Sequence, residues 1–230
     1  MSAHSYLLIR RPARRVVIVV LALGSLLAVV APAPAPAFAA GPRSTSPAIA
    51  AVALQALDAV DELGAFDGSH SFARSFLASS RYVRLRDEAA GLVATDLGIP
   101  AAMLRDAWAL TDLDKQTAML AALTQLGVPY RSHRSEPGVG FDCSGLTAYA
   151  WGVAGQELAR QSRTQINAAL RIDRATARAG DLMYYPGHVM MFLGIGDAMV
   201  HSPQSGSEVE VTFLSEHRSD DVIFADPTVL

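Results

Sequence analysis

Apolar positions recur every three or four residues through the first two thirds of the chain and every second residue towards its end. Ile49, Val52, Ala56, Val60 and Leu63 fall on one helical face, and Gly64 is placed to end that helix. A loop through Asp67, Gly68 and Ser69 leads to Phe72 and Phe76, one turn apart. Leu85, Ala89, Leu92 and Val93 mark another helix, ended by Gly98 and restarted at Pro100, after which Met103, Leu104, Ala107 and Trp108 continue the pattern. Residues 48–110 thus read as three or four short helices, too few for a core of their own, that pack on the remainder of the chain. Thr111 or Asp112 caps a further helix carrying Leu113, Met119, Leu120, Leu123 and Leu126 and ending at Gly127. After a Pro-Gly loop, Leu146, Tyr149, Ala150 and Val153 give one more amphipathic helix, closed by Gly155, and a short helix is expected at 162–170.

The period then drops to two. Runs at 182–185, 188–193, 198–201, 209–213 and 222–224 are separated by Pro186-Gly187 and by Gly- and Ser-rich turns at 194–197 and 202–207, which predicts an antiparallel meander. Val209, Val211 and Phe213 alternate with Glu208, Glu210 and Thr212, so that strand is expected to have one wet face. Helices first and strands afterwards indicate an α+β fold.

The first 39 residues stand apart from this pattern. Arg10, Arg11, Arg14 and Arg15 precede an apolar run at 16–30, and Ala37-Phe38-Ala39 fits a small-residue cleavage site, the arrangement of a secretory signal peptide. The run is short of the roughly 20 residues a spanning helix needs, which disfavours an uncleaved anchor. General secretion is favoured over twin-arginine export. Residues 40–47 read as a linker. Removing residues 1–39 takes away four arginines and no acid, moving the formal charge from -3 to -7. The exported chain therefore has no basic patch for nucleic acid or anionic lipid. It holds one cysteine, so no internal disulfide forms, and a lone thiol in an oxidising compartment implies a use for it.

That cysteine, Cys143, comes after Glu136-Pro137-Gly138 and heads an apolar helix. Unpaired N–H groups and the positive end of the helix dipole favour a thiolate there. A thiol nucleophile needs a base, and the base needs a partner that fixes its tautomer. His188 opens one predicted strand and His201 closes the next, so pairing through the 194–197 turn would bring the two rings together. His4 leaves with the signal, His70 lies in the helical region, and His133 and His217 sit in polar loops. A zinc site on Cys143, His188 and His201 is chemically allowed, but no CxxC or HxxxH spacing supports it, and no cofactor is implied.

Phe141-Asp142-Cys143-Ser144-Gly145-Leu146, Gly180-Asp181-Leu182, Gly187-His188-Val189, Leu126-Gly127-Val128-Pro129-Tyr130 and the 158–165 segment together resemble the NlpC-type cell-wall cysteine peptidase family, over roughly residues 113–225. The resemblance implies a papain-like α+β domain in residues 111–230, preceded by the helical region 48–110. It implies cleavage of peptidoglycan stem peptides between D-γ-glutamyl and a diamino acid such as meso-diaminopimelate. Cys143 would be the nucleophile, His188 the base and then acid, and His201 the residue that orients His188. Tyr130 would place its hydroxyl near the thiol, and Asp142 and Ser144 would help fix the peptide's amino end. Two departures stand out: Arg131-Ser132-His133-Arg134 comes after the tyrosine where relatives carry Trp-Gly-Gly, and Met190-Met191 comes after the histidine where a small residue is common. A catalytically idle wall-binding protein, and a thiol acyltransferase or amidase, are the alternatives; the sequence names no regulatory partner.

Overall fold

The computed structural model describes residues 43–64 and 72–229. The expected signal peptide, the 67–69 loop and His70 lie outside the described residues. Four helices come first: α1 (Pro47–Gly64), α2 (Phe72–Leu97), α3 (Ala101–Ala109) and α4 (Leu113–Leu123). A two-residue pair, β1 (Ser135–Glu136) and β2 (Gly140–Phe141), leads into α5 (Cys143–Val153), and then α6 (Ser162–Ala168). The strands are β3 (Leu170–Ile172), β4 (Leu182–Tyr185), β5 (His188–Phe192), β6 (Ala198–His201), β7 (Glu210–Phe213) and β8 (Ile223–Asp226), with the single turn α7 (Glu216–Ser219) between the last two.

All strand pairings are antiparallel, and the six-stranded order is β3-β8-β4-β5-β6-β7. The expected meander is present as β4 to β7. The last strand returns to the far side of β4 and accepts β3, an edge strand the alternation pattern missed because Leu170-Arg171-Ile172 is mostly exposed. The fold is α+β, as the order of periodicities predicts.

Helix α4 lies at the centre. Every residue from Lys115 to Leu123 is buried, because α1, α5 and β6 all pack against it. Burial of its polar residues requires partners. Gln116 takes the Tyr82 hydroxyl on Oε1 at 2.6 Å, and Thr117 donates to Leu113 O at 2.8 Å. One continuous apolar cluster runs from Ile49, Val93 and Trp108 in the first helices through Leu120 and Trp151 to Val189, Val200 and Val211 in the sheet. Trp108 is anchored by its indole N–H on Leu193 O at 2.8 Å. A smaller cluster of Met183, Met190, Phe192, Met199, Leu214 and Phe224 covers other sheet residues.

Three expectations need correction. Residues 72–97 form one long helix rather than two pieces, since Leu77 and Val83 point outward and interrupt the apolar stripe without interrupting the backbone. Val153 is exposed, and Trp151 and Thr147 line the buried face of α5 in its place. Strand β7 has no wet face: Glu210 is 6% and Thr212 7% exposed. The chain just before α1 is one reason, because Ser44 pairs with Val211 through backbone hydrogen bonds of 3.0 and 2.9 Å and closes that edge of the sheet.

Candidate active site

The Cys143 loop is built by hydrogen bonds that converge on Asp142. Its Oδ1 caps α5 by accepting from Gly145 N at 2.7 Å, and its Oδ2 accepts from His133 N at 2.8 Å. Arg160 adds a bidentate pair, 2.8 Å to each carboxylate oxygen, and donates to Ser144 Oγ at 3.1 Å and Arg134 O at 3.0 Å. These bonds outweigh partial burial and hold the Asp142 carboxyl below its usual range. A substrate amine reaching Asp142 would compete with a guanidinium already seated there. Gln165 of α6 straps the first turn from below, donating to Ser144 O at 2.9 Å and Ala159 O at 2.8 Å. Gly145 leaves no room for a side chain, since a Cβ would collide with the Arg134 carbonyl oxygen. The helix start is therefore fixed on three sides. Among the described residues the Cys143 backbone N–H has no hydrogen-bond partner, so it stays open to an incoming oxyanion.

Tyr130 sits beside this loop. It bridges to Phe141, and its N–H donates to Ser207 O at 2.8 Å. Partial burial and the neighbouring Cys143 and Asp142 push its hydroxyl up, with Arg160 opposing. Ser144 is buried, and its hydroxyl is taken up by Arg160.

The histidines come from the sheet. The register Met191↔Val200 and Phe192↔Met199 sets His201 level with Met190, so His188 and His201 meet on the cross-strand diagonal. His188 Nε2 lies 2.8 Å from His201 Nδ1. On its other side His201 Nε2 lies 3.3 Å from Glu210 Oε1, its direct partner across β6 and β7. Burial, with smaller contributions from His201 and Arg218, pushes the His188 imidazole down from 6.5 to about 3, so the ring rests neutral. Tyr185 packs 5.3 Å from the His188 ring, centroid to centroid, and Arg218 stacks on Tyr185 at 4.3 Å.

Two links bring thiol and imidazole elements together. Helix α5 packs against β5, whose first residue is His188. Ser202, next to His201, donates from Oγ to Phe141 O at 2.8 Å, two residues before Cys143. Among the described residues no hydrogen bond joins the sulfur to the ring, and His188 Nδ1 has no partner. Nor is any group of three or more His, Cys, Asp or Glu side chains there arranged to hold a metal ion. His133 and His217 are exposed, and no hydrogen bond joins either ring to His188 or His201 among the described residues; His133 serves the Asp142 carboxylate through its backbone N–H. A cavity of about 760 Å³, lined by Arg174, Phe192, Asp197 and Leu214 among others, includes none of Cys143, His188 or His201.

With that geometry in place, comparison with known proteins is direct: residues 127–226 match the model of the NlpC/P60 family. The chain carries an NlpC/P60 domain. Over 106 residues it is 38% identical to the peptidoglycan endopeptidase RipA of Mycolicibacterium smegmatis, covering 39% of this chain and 21% of that protein. Over 115 residues it is 35% identical to the murein DD-endopeptidase MepH of Escherichia coli, covering 44% of this chain and 41% of that protein. The chain thus spans less than half the length of these relatives. The P60 domain of an antigen from M. avium subspecies paratuberculosis superposes with a TM-score of 0.43 at 29% identity, over 50% of this chain and 94% of that one. Within the NlpC/P60 domain, sequence reasoning missed Arg160, Gln165, Ser202 and Glu210 as builders of the site. Glu210 was hidden by its position in an alternating strand, where a charged residue reads as solvent-facing.

Proposed function

We propose that this protein is a secreted peptidoglycan hydrolase, a cysteine endopeptidase that cuts stem peptides between D-γ-glutamyl and meso-diaminopimelate with Cys143, His188 and His201. One observation carries the reading: His188 spends Nε2 on His201, which leaves Nδ1 as the free nitrogen of a neutral ring on the strand that packs against the Cys143 helix. The names of relatives that act on peptidoglycan support the substrate class. Export rests on the signal-like residues 1–39, and action is assigned to the wall or periplasmic space.

In the mechanism His188 Nδ1 removes the thiol proton as sulfur attacks the amide carbonyl. The Cys143 N–H receives the oxyanion, and the Tyr130 hydroxyl is the second donor in this reading. The imidazolium keeps its Nε2–H on His201 and gives the Nδ1 proton to the leaving amine. Water, deprotonated by the same nitrogen, then frees the acyl group. Asp142 and Ser144 form the floor under the substrate's amino side, with Arg160 between their polar atoms.

Mass spectrometry of products from purified peptidoglycan tests this. Cys143→Ala and His188→Ala should abolish product and His201→Ala should leave a trace, while full hydrolysis by Cys143→Ala would defeat the reading. Because one relative's name specifies a DD bond, cleavage between D-alanine and diaminopimelate would keep the hydrolase and overturn the assigned bond.

A further inference from the structure

Glu210 is a buried carboxylate on a strand whose sequence puts it in water. It is 6% exposed, and two groups reach its Oε1: His201 Nε2 at 3.3 Å and Arg43 Nε at 3.6 Å. Burying a carboxylate is costly unless it is paired, so this arrangement calls for an explanation. Donor and acceptor rules supply one. A carboxylate oxygen accepts, so His201 must carry its proton on Nε2. A neutral His201 then offers a lone pair at Nδ1, and the only partner 2.8 Å away, His188 Nε2, must donate. His188 is thereby left with its lone pair on Nδ1, the nitrogen without a hydrogen bond among the described residues.

We propose that Glu210, held by Arg43, is a positioning residue that sets the tautomers of both histidines through these two linked hydrogen bonds and so aims the basic nitrogen of His188 at the thiol. The inference rests on the thiol-hydrolase reading of Cys143 and His188. Without Glu210 both rings can reverse together: His201 Nδ1–H donates to His188 Nε2, and His188 carries its proton on Nδ1, where it cannot act as a base. Reversal needs no movement of heavy atoms, so packing alone does not prevent it.

Arg43 reaches Glu210 from the segment that precedes α1. Ser44 pairs both ways with Val211, the residue after Glu210, and its hydroxyl bonds Asp96 on α2. The same short stretch therefore ties α2, the edge of the sheet and the histidine relay together. Arg43 is 71% exposed and Glu210 only 9% over the side chain, so the arginine covers the carboxylate on the solvent side.

The test is nitrogen-15 NMR of histidine-labelled protein at neutral pH, paired with hydrolysis of a purified stem peptide. In the wild type both His188 and His201 should give the neutral Nε2–H signature. Glu210→Leu should move both rings to Nδ1–H or to a mixture and lower kcat roughly tenfold or more, with KM little changed. Glu210→Gln, whose amide oxygen still accepts, should keep the Nε2–H signature and most of kcat. Arg43→Met should give a smaller change in the same direction. Unchanged tautomers and wild-type kcat in folded Glu210→Leu would overturn the proposal. Should that variant not fold, loss of the Nε2–H signature in Glu210→Gln, or an unshifted Arg43→Met, would do so. A wild type with the expected tautomers and no hydrolysis would sink the enzymatic reading alone.

Discussion

Lys115 with Asp181 and Asp226, and Glu210 with His201 and His188, are polar trios among the described residues that differ in how they end. Lys115 on α4 lies 2.6 Å from Asp181 Oδ1 and 2.7 Å from Asp226 Oδ2. Asp181 also accepts from Arg178 N at 2.7 Å, and Asp226 from Thr228 N at 2.9 Å and Thr228 Oγ1 at 2.6 Å. Opposite charges meet, and the ammonium is the one group set against the buried Asp181 Oδ1 among the described residues, so the trio closes on Lys115. It pins the central helix to the loop before β4 and to β8. The second trio, Glu210, His201 and His188, runs along one line across three strands and stops at an unoccupied nitrogen. Closure suits a scaffold, whereas the proposed chemistry needs the open end. Titration separates them too. The two carboxylates outweigh burial and raise the Lys115 ammonium, locking in its charge, whereas burial pushes His188 down and keeps it uncharged.

The comparison breaks most sharply at the open end. Removing the sulfur or the base, by Cys143→Ala or His188→Ala, should leave no measurable turnover of stem peptide while urea unfolding still gives a cooperative transition. At the closed trio the opposite outcome is expected. Lys115→Met strands the fully buried Asp181 without its cation and should cost about 3–5 kcal/mol in urea unfolding, with turnover per folded molecule unchanged. Adding Asp181→Leu should recover much of that loss, because an apolar pair of similar volume needs no counter-charge. A loss under about 1 kcal/mol for Lys115→Met would mean that the trio is solvated and not closed.

The same distinction decides how much was legible in the sequence. Periodicity placed α1, α3, α4 and α5 and the strands β4, β5 and β6 closely, because each has a continuous apolar face set against the core. The candidates Cys143, His188 and His201 could be picked out as residue types at the ends of those elements, since a thiol at a helix start and rings at strand ends can be read from local order; their proposed roles await the variants above. Partners contributed by distant segments were not. Arg160 reaches Asp142 across 18 residues, Ser202 reaches Phe141 across 61, and Lys115 reaches Asp226 across 111. Nothing in the local pattern of either partner marks such a contact. Glu210 misled the reading for a related reason: alternation assigns a side chain to a face but cannot tell what covers that face. The segment that closes the β7 edge lies more than 160 residues earlier, in what composition alone labels a linker.

Acid sharpens the contrast between the trios. An unfolded chain protonates His188 near 6.5, whereas the folded protein resists until about 3. The stability linked to this neutral ring is thus fully present above 6.5 and is lost as pH falls towards 3. His188→Asn has no such proton to bind in either state. The difference in unfolding free energy between wild type and His188→Asn should therefore fall by about 1.4 kcal/mol per pH unit across that window. His201, Arg218 and Tyr185 act on or pack against the ring and are unchanged in the variant, so a flat difference would show that His188 charges freely in the folded state and does not rest as a neutral ring.

The smallest effect is expected at the rim of the closed trio. Thr228 donates from both its backbone and its hydroxyl to Asp226 Oδ1, and with Lys115 these bonds outweigh partial burial and hold that carboxyl below its usual range. Thr228→Ala removes only the hydroxyl bond at an exposed position, which should cost about 0.5–1 kcal/mol in urea unfolding at neutral pH. Lys115 remains to neutralise both acids, so the helix stays pinned and turnover should match the wild type. The site and this rim share no hydrogen bond. If Thr228→Ala lowered turnover without lowering stability, the two trios would have to be coupled through β4 and β8, and the division between scaffold and chemistry would fail at its weakest contact.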